Sequence, residues 1–347
     1  MRIVMVTPSS YPSVRGNSIT VERIASGLKG RGHDVAVLSL EGDPSLKAVR
    51  RQAQSFQPDL LHGFHAYAAG RLLAIEGRKV GVPGLITITG TDVNHDLFDP
   101  DRRPVVMAAL NAAHGIVTFH DIIREKLVRE LPPIAEKIRV IRQTVQCEEQ
   151  PIDFRVRWGF GPAEVIFFLP AGVRRVKNLA FCLEPLARLH HRYPHLRVLF
   201  VGPILEEAEG ARLLEGIRGR PWARYLGEAS HEEICTMLRQ VDVVVNSSLS
   251  EGGMSNALLE AMSRGRAVLA SDIEGNRSVV MDEVDGLLFT SEDHFARQAE
   301  RLLTDRGLRR RLGKAAQAKI EREFSTDQEV SAYETFYRDL LATSKGR

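Results

Sequence analysis

Two carboxylates lie around a turn rich in small residues, between a short apolar run and an apolar helical pattern. Residues 241–246 are nearly all apolar and β-branched, which predicts a buried parallel strand. Glu251 and Glu260 follow it, and Leu258 and Met262 belong to the apolar stripe of the next helix. Open α/β sheets bind ligands at the carboxyl edge of their strands, where helix N-termini offer unpaired N–H groups to anionic oxygens. The segment therefore predicts a sugar-nucleotide pocket.

A cationic segment follows the first predicted strand of the same half of the chain. Gly172 to Lys177 includes Arg174 and Arg175, so two or three cations are expected at the same sheet edge as Glu251. Arginine can chelate phosphate oxygens in a fork, and lysine adds a compact charge that stabilises a leaving diphosphate. Such a cluster alone is typical of a solvated helix start, whereas its pairing with the Glu251 loop predicts a diphosphate site.

Short apolar runs alternate with helical patterns along the chain, and this alternation predicts parallel sheets. Six runs in the first half cover residues 3–6, 35–40, 60–62, 84–88, 116–119 and 138–141. Five runs in the second half cover residues 165–169, 196–201, 223–226, 243–246 and 267–270. Helical patterns cover residues 21–29, 45–56, 122–130, 179–191, 234–241 and 258–264. The predicted fold class is α/β, with two Rossmann-like domains.

A length of 347 residues is more than one hydrophobic core usually organises. We place an N-terminal domain at residues 1–146 and a C-terminal domain at residues 163–324. Residues 147–162 are polar and contain two prolines, so they are interpreted as a linker. A helix over residues 325–347 could cross back onto the first domain.

Composition excludes several classes of protein. Apolar residues at 44% and charged residues at 26% are ordinary for a globular protein, and a net charge of +3 does not require nucleic acid as a partner. No apolar run approaches the roughly 20 residues of a membrane span, although basic clusters such as 309–311 leave contact with a membrane surface open. Cys147, Cys182 and Cys235 are few and far apart, which argues against a disulfide framework and a Cys-x-x-Cys metal site. We therefore expect a cytoplasmic protein.

Other chemistries have weaker patterns. Gly16 is the only glycine in the loop after the first strand, so the Gly-x-Gly-x-x-Gly dinucleotide fingerprint is missing. Residues 99–101 spell a metal-binding Asp-x-Asp, but the central proline favours a turn. The chain has no Gly-x-Ser-x-Gly elbow and no cysteine with a credible catalytic partner. We expect no metal and no side-chain nucleophile.

Taken together, these segments resemble the retaining family 4 glycosyltransferases of GT-B fold. The matching elements are the cationic segment 172–177, the acidic segment 250–262 and the Asp-Gly-Leu-Leu run 285–288. Within that family the chain is most similar to the glycosyltransferase 1 domain-containing group. The segments that carry this similarity are residues 16–20, 90–94 and 176–177.

The chain is also similar to the selenosugar synthases of selenoneine biosynthesis. The shared features are the Gly-Asn opening, the Thr-Gly-Thr-Asp run 89–92 and Glu-Gly-Gly.

The resemblance implies two domains facing each other across a cleft, the first on the acceptor side and the second binding the nucleotide sugar. It implies catalytic roles for Arg174 and Lys177 toward the diphosphate and for Glu251 toward the donor sugar. It also implies that Glu260 binds the ribose diol. Further donor contacts, largely through backbone atoms, are implied for Gly16, Asn17, Gly202, Leu226, Gly252, Gly253, Met254, Ser255 and Asn256.

Two features depart from the family pattern. Eight residues separate Glu251 from Glu260 where the family normally has seven, consistent with one extra residue in the loop. Many relatives carry a sugar-side histidine in the segment that corresponds to residues 89–92, and no histidine stands there. Thr91 and Asp92 are the candidates on the acceptor or sugar side, and for Asp92 a loop-stabilising role is equally open.

The implied reaction is retaining, metal-independent transfer of a hexosyl group from a nucleoside diphosphate sugar, with a UDP-sugar as the expected donor and no other cofactor. The acceptor is not identified by the sequence. One alternative is transfer to selenophosphate, as in the selenosugar synthases. A GT-B sugar-nucleotide epimerase or hydrolase is a second possibility, and a non-catalytic nucleotide-sugar-binding protein is a third.

Overall fold

A computed structural model describes residues 1–9, 16–41, 51, 55–73, 81–251 and 253–345 of the protein. The chain folds into two units. Unit 1 is Met1–Thr144 together with Phe324–Arg347, and unit 2 is Val145–Glu323. Residues 147–162, interpreted as a linker, thus belong to unit 2.

Each unit contains a six-stranded parallel sheet. The order in unit 1 is β2-β1-β3-β4-β5-β6, and the order in unit 2 is β12-β11-β10-β7-β8-β9. The strands of unit 1 are β1 (Arg2–Thr7), β2 (Asp34–Ser39), β3 (Leu60–Phe64), β4 (Gly84–Thr87), β5 (Gly115–Thr118) and β6 (Ile138–Val140). The strands of unit 2 are β7 (Val165–Pro170), β8 (Leu196–Val201), β9 (Ala223–Tyr225), β10 (Val243–Asn246), β11 (Ala267–Ser271) and β12 (Leu287–Phe289).

Twelve α-helices occur in the described residues. They are α1 (Gly16–Gly30), α2 (Arg103–Ala112), α3 (Asp121–Glu130), α4 (Phe154–Trp158), α5 (Leu183–Arg192), α6 (Glu207–Ile217), α7 (His231–Leu238), α8 (Asn256–Ser263), α9 (Glu274–Arg277), α10 (Glu292–Thr304), α11 (Arg306–Glu323) and α12 (Thr326–Lys345). Short π-helical segments span His65–Gly70 and Asp92–Asp96. None of these helices is both long enough and apolar enough to cross a bilayer.

All eleven predicted strands are present, because runs of β-branched and other apolar residues match strands covered on both faces. The short strand β12 was not predicted from the sequence. Most of the predicted helix over residues 45–56 lies outside the described residues.

The C-terminal helix α12 is part of the core of unit 1. Its Tyr333 and Tyr337 side chains are fully buried. The ring of His62 on β3 bonds the Tyr337 hydroxyl through Nδ1 and the Thr87 hydroxyl through Nε2, both at 2.7 Å. Burial lowers the pKa of His62 to about 3, so this ring is neutral at physiological pH.

A buried ion pair joins α1 to α12. Arg23 donates from Nε and Nη2 to the two carboxylate oxygens of Glu329, at 2.8 and 2.9 Å. The side chains of the pair are only 3% and 0% exposed. The Thr144 hydroxyl donates a further hydrogen bond to Glu329 at 2.9 Å. Because each charge is desolvated, each depends on its partner for compensation.

The core of unit 2 lies against its sheet. One apolar cluster joins Phe167 of β7 and Phe200 of β8 to Leu186 of α5 and Phe295 of α10. These contacts hold the flanking helices against the strands. Polar residues lie in the loops at the carboxyl ends of β7 and β10.

Cys147 and Cys235 form a disulfide, with Cα atoms 5.5 Å apart. The expectation that the cysteines are too far apart to pair is therefore wrong. Their sequence separation is 88 residues, but the fold brings the segment before α4 onto α7. Cys182 is free and buried. The cysteine content consequently gives no support to a cytoplasmic location.

Replacement of Glu329 by alanine should lower the free energy of unfolding by about 3 kcal/mol, because it leaves the buried Arg23 charge uncompensated. Urea denaturation measures the loss. Gln328→Ala, at an exposed neighbouring position of α12, is the matched control. The double variant Arg23→Met/Glu329→Leu should recover most of the stability. A Glu329→Ala protein within about 0.5 kcal/mol of wild type, a value of the order seen for ordinary surface substitutions, would contradict this account.

Candidate active site

Polar side chains collect at the carboxyl edge of the sheet in unit 2. Strands β7 and β10 are neighbours, so the loops that follow them lie side by side. The amide of Leu249, after β10, donates to the carbonyl of Val176, after β7, at 2.8 Å. The Ser247 hydroxyl likewise donates to the Lys177 carbonyl at 2.9 Å. Backbone contacts therefore hold the cationic and acidic segments together.

Lys177 and Glu251 form an ion pair across these two loops. The distance from Nζ to Oε1 is 2.5 Å, and the side chains are 17% and 11% exposed. The same carboxylate oxygen accepts hydrogen bonds from Asn246 Nδ2 at 3.0 Å and from Ser248 Oγ at 2.7 Å. Asn246 Nδ2 also lies 3.0 Å from Ser255 Oγ, just before α8. Two of the three residues predicted to be catalytic thus meet in one network.

The network keeps Glu251 ionised. Burial by itself raises the pKa of this carboxyl, but the Lys177 charge and the hydrogen bonds from Lys177, Asn246 and Ser248 outweigh it, so the pKa is lowered. Glu251 is therefore an acceptor of hydrogen bonds at neutral pH.

Helix α9 packs directly against the loop that carries Glu251. A Cβ atom added to Gly275 would lie 2.5 Å from the Cβ of Glu251 and 2.7 Å from the carbonyl oxygen of Gly253. Only glycine allows α9 to approach this closely. Glu251 and the carbonyl of Gly253 therefore lie directly against a residue without a side chain.

The other predicted cation, Arg174, stands in the loop after β7 and is half-buried. Its guanidinium makes no hydrogen bond or ion pair with any residue that the structure describes. The structure thus places Arg174 in the same loop as Lys177 but gives it no protein partner there.

Glu260 lies on α8 and its side chain is only 7% exposed, so it is not a solvated helix residue. Its Oε1 atom is 3.0 Å from Nε2 of His231. His231 opens α7, whose N-terminus is capped by Ser230 in a capping box with Glu233. The sequence did not single out His231, because its proximity to Glu260 arises from helix packing.

The remaining predicted donor contacts of unit 2 fall on strand ends and on the loop before α8. A Cβ at Gly202 would lie 2.3 Å from the Ala171 carbonyl oxygen, and its φ of +140° also favours glycine. Its amide donates to Gly227 at 2.8 Å, and the amide of Leu226 donates to Phe200 at 2.9 Å. These two amides are thus engaged within the sheet.

Met254 and Ser255 are buried, and Asn256 is the first residue of α8. Gly253 lies in the same loop. Gly252 lies outside the described residues.

In unit 1, Asp92 stabilises the loop after β4. The side chain is fully buried, and its oxygens accept hydrogen bonds from the amides of Gly90 at 2.6 Å, Ala66 at 2.9 Å and Thr89 at 3.2 Å. Of the two roles considered for Asp92, the geometry supplies the loop-stabilising one. Gly16 begins α1, and Asn17 Nδ2 lies 3.4 Å from the Thr89 hydroxyl.

His65 is a polar residue at this edge that the sequence did not single out. It directly follows β3, its Nε2 lies 2.9 Å from the Thr91 hydroxyl, and its Nδ1 accepts from the Ala68 amide at 3.2 Å. Its φ is +82°, in a region that non-glycine residues enter at a cost and that is enriched at functional sites. The family pattern directs attention to residues 89–92 alone. The position of this histidine just beyond the predicted strand 60–62 is the signal that could have identified it.

A cleft of about 690 Å³ lies elsewhere in unit 2. Its lining includes Gln240 and Asp242, before β10, and Arg266, before β11. It therefore lies at the amino ends of these strands, whereas the network of Lys177 and Glu251 lies at the carboxyl ends.

Replacement of Lys177 by methionine should destabilise the protein by about 3 kcal/mol at pH 7, since it leaves a buried carboxylate unpaired. In wild type the folded pKa of Glu251 is below its unfolded value, so its stabilising contribution is present above pH 4.5 and is lost as the pH falls through the folded pKa. In the variant, burial without the Lys177 charge raises the pKa of Glu251, so this carboxyl takes up a proton as the pH falls from 7 toward 4 and the penalty for its buried charge disappears. The difference between the two proteins should therefore shrink over this range.

Urea denaturation across this pH range measures the difference. In the control, Lys177→Met/Glu251→Gln, the loss of stability should not depend on pH in this way. A Lys177→Met protein whose loss is the same at pH 4 and pH 7 would show that the ion pair does not set the charge of Glu251.

Two sequence relatives match nearly the whole chain. It is 29% identical over 341 residues to the glycosyltransferase 1 domain-containing protein 1 of Xenopus tropicalis, covering 94% of each chain. It is 23% identical over 344 residues to the N-acetyl-alpha-D-glucosaminyl L-malate synthase of Bacillus anthracis, covering 96% of this chain and 86% of the relative.

Solved structures show the same fold. The structure of HepE from Anabaena in complex with UDP and glucose matches with a TM-score of 0.78 at 17% identity, over 96% of this chain and 100% of that one. Sucrose-phosphate synthase from Thermosynechococcus elongatus matches with a TM-score of 0.83 at 18% identity, over 99% and 100%. The predicted GT-B fold is confirmed.

A family model matches most of unit 2. Residues 163–305 match the family model described as Glycosyl transferases group 1. The predicted similarity to the glycosyltransferase 1 domain-containing group is confirmed, whereas the similarity to selenosugar synthases stays a prediction. The chain is therefore similar to the group 1 glycosyltransferases over residues 163–305 and to glycosyltransferase relatives over nearly its whole length.

Proposed function

We propose that the protein transfers a hexosyl group from a UDP-sugar to an acceptor, with retention of anomeric configuration and without a catalytic metal. The observation that carries the proposal is the buried pair of Lys177 and Glu251 at the carboxyl edge of unit 2, close to the start of α8. The choice of UDP is supported by HepE, whose structure contains UDP and glucose.

The cationic loop would bind the diphosphate. Lys177 has three N–H donors, of which one is directed to Glu251, so others remain for phosphate oxygens. Arg174 has a planar guanidinium suited to chelating phosphate. The N-terminus of α8, an eight-residue helix, would add unpaired amides from the segment Gly253 to Asn256. These groups stabilise the negative charge that develops on the leaving UDP.

The two carboxylates would serve different ends of the donor. Glu251, held ionised, would accept hydrogen bonds from hydroxyls of the sugar. Glu260, held in place by its contact with His231, would accept hydrogen bonds from the ribose diol. Because Glu251 is committed to Lys177 and two further donors, it is poorly placed to act as a nucleophile.

The reaction forms a bond between an acceptor atom and the anomeric carbon and breaks the bond from that carbon to the phosphate oxygen. Retention follows when the acceptor attacks on the face that the phosphate leaves. The leaving phosphate takes the acceptor's proton in this scheme. The protein contributes orientation and electrostatic stabilisation, and no covalent intermediate is needed.

We further propose that His65, together with Thr91, supplies the polar side chains of unit 1 that face the sugar or the acceptor. Their mutual hydrogen bond of 2.9 Å fixes the imidazole at the carboxyl edge of the first sheet. Asp92 would act through the loop that it stabilises. His65 would thereby take the part played in many relatives by a histidine nearer residue 91.

Replacement of Lys177 or Glu260 by alanine should weaken UDP-glucose binding at least about tenfold, which corresponds to the roughly 1.4 kcal/mol of one charge-assisted hydrogen bond. Isothermal titration calorimetry measures the affinity. Lys314→Ala and Glu321→Ala, at exposed positions of α11, are the matched controls. If the site variants bind as tightly as wild type while the controls behave normally, the donor site lies elsewhere.

Replacement of His65 by alanine should lower the rate of transfer at least about tenfold while UDP affinity stays unchanged, because UDP is assigned to unit 2. Turnover is followed by nuclear magnetic resonance, which also reports the anomeric configuration of the product. His95→Ala, whose side chain is 64% exposed, is the control. Equal turnover in the two variants would remove His65 from the site.

The acceptor panel for these assays should include selenophosphate, sugars and small alcohols. Donor turnover without any acceptor would favour an epimerase or hydrolase over a transferase. Donor binding without turnover across the panel would favour a non-catalytic nucleotide-sugar-binding protein.

A further inference from the structure

Two cysteines and a histidine of unit 2 converge beside the proposed donor site. The Sγ atoms of Cys147 and Cys235 and a ring nitrogen of His231 all lie within 4.8 Å of one another. Cys235 is fully buried, and His231 is largely buried, with its side chain 14% exposed. Thiolate and imidazole are the ligands that zinc prefers in proteins.

The donor atoms of His231 and Cys235, both on α7, have the spacing expected of two ligands on a single ion. His231 and Cys235 are four residues apart on α7, so their side chains share one face of the helix. Nε2 and Sγ are 3.7 Å apart. Zinc–sulfur and zinc–nitrogen bonds of about 2.3 and 2.1 Å at a tetrahedral angle place the two donors about 3.6 Å apart. The pair therefore needs little adjustment to bind zinc.

The third donor comes from the segment before α4. The carbonyl of Cys147 accepts a hydrogen bond from Arg264 Nη2 at 2.5 Å, which anchors this residue near the C-terminal end of α8. Glu149, two residues on, forms ion pairs with Arg239 at 2.7 Å and Arg264 at 3.2 Å. These contacts do not depend on the disulfide, so Cys147 stays close to α7 when the disulfide is opened.

A fourth ligand is also at hand. Oε1 of Glu260 lies 3.0 Å from Nε2 of His231, on the neighbouring helix α8. It could bind an ion directly or through a water molecule. Two thiolates and one imidazole in a tetrahedral arrangement favour zinc over harder cations such as magnesium or calcium.

We propose that Cys147, His231 and Cys235 bind one zinc ion when the disulfide is reduced. A phosphine reductant breaks the S–S bond by delivering two electrons and is itself oxidised to the phosphine oxide, with oxygen and two protons from water, which leaves two thiols. Zinc then displaces the two thiol protons and is held by two thiolates and the neutral imidazole. The disulfide and the zinc-bound form are thus alternative states of the same two cysteines. This proposal does not depend on donor binding.

The test uses the full-length protein, reduced with a phosphine or left oxidised, and titrated with zinc against a chromophoric chelator. The reduced protein should bind one zinc ion per chain and release two protons. Cobalt in place of zinc should give the near-ultraviolet charge-transfer absorption of a thiolate complex. The oxidised protein should bind zinc at least about 100-fold more weakly, since it offers no thiolate.

Loss of a residue that only hydrogen-bonds a metal ligand weakens metal binding roughly 10- to 100-fold. Loss of a ligand itself should cost more, and we expect this for each of Cys147→Ala, Cys235→Ala and His231→Ala. Cys182→Ala, at the free cysteine, and His191→Ala, at an exposed histidine on α5, are the matched controls and should bind as wild type. His231→Ala keeps both cysteines able to pair, so a folding defect from disulfide loss does not confuse the result.

Reduced wild type that binds no zinc, or that binds it as tightly after loss of His231, overturns the proposal. Equal zinc affinity of the oxidised and reduced proteins overturns it as well. If reduced wild type binds no zinc, the two cysteines serve only as a disulfide.

Discussion

A buried lysine–glutamate pair sets the chemistry of the candidate site. Lys177 and Glu251 belong to different loops, and neither charge could be tolerated at this depth without the other. Asn246 and Ser248 supply further hydrogen bonds to the same carboxylate, so the strand β10 itself takes part in holding the charge. The pair therefore fixes the relation between the ends of β7 and β10, and the roles proposed for Lys177 and Glu251 follow from that relation.

Small residues make this arrangement possible. Gly275 lets α9 approach the backbone of the Glu251 loop, and Gly202 lets the end of β8 approach Ala171 with no space for a side chain. An apolar core beneath the sheet then leaves the carboxyl edge as the place where polar groups concentrate. Unit 1 has buried polar contacts of its own, between His62 and Tyr337 and between Arg23 and Glu329, and both of them hold α12.

The pattern of apolar residues was sufficient to predict eleven of the twelve parallel strands. It also predicted that the cationic and acidic loops lie at the same edge of one sheet, because each of them follows a strand of that sheet. It was not sufficient wherever two distant segments meet. The proximity of Cys147 to Cys235 and of His231 to Glu260 depends on how helices pack. His65 was missed for a different reason, since it is distinguished by a hydrogen bond to Thr91 and a positive φ, neither of which has a sequence signature.

The buried position of Glu260, bonded to His231, connects the proposed donor site to the cysteine pair within one unit. The central claim is that this edge of unit 2 binds UDP, with the ribose at Glu260 and the diphosphate at Lys177. A crystal structure of the protein with UDP tests it most directly. The account predicts ribose hydroxyls about 3 Å from the Glu260 carboxylate and a phosphate oxygen at a similar distance from Lys177 Nζ. UDP bound away from both side chains, for example in the cleft at the amino ends of β10 and β11, would contradict it.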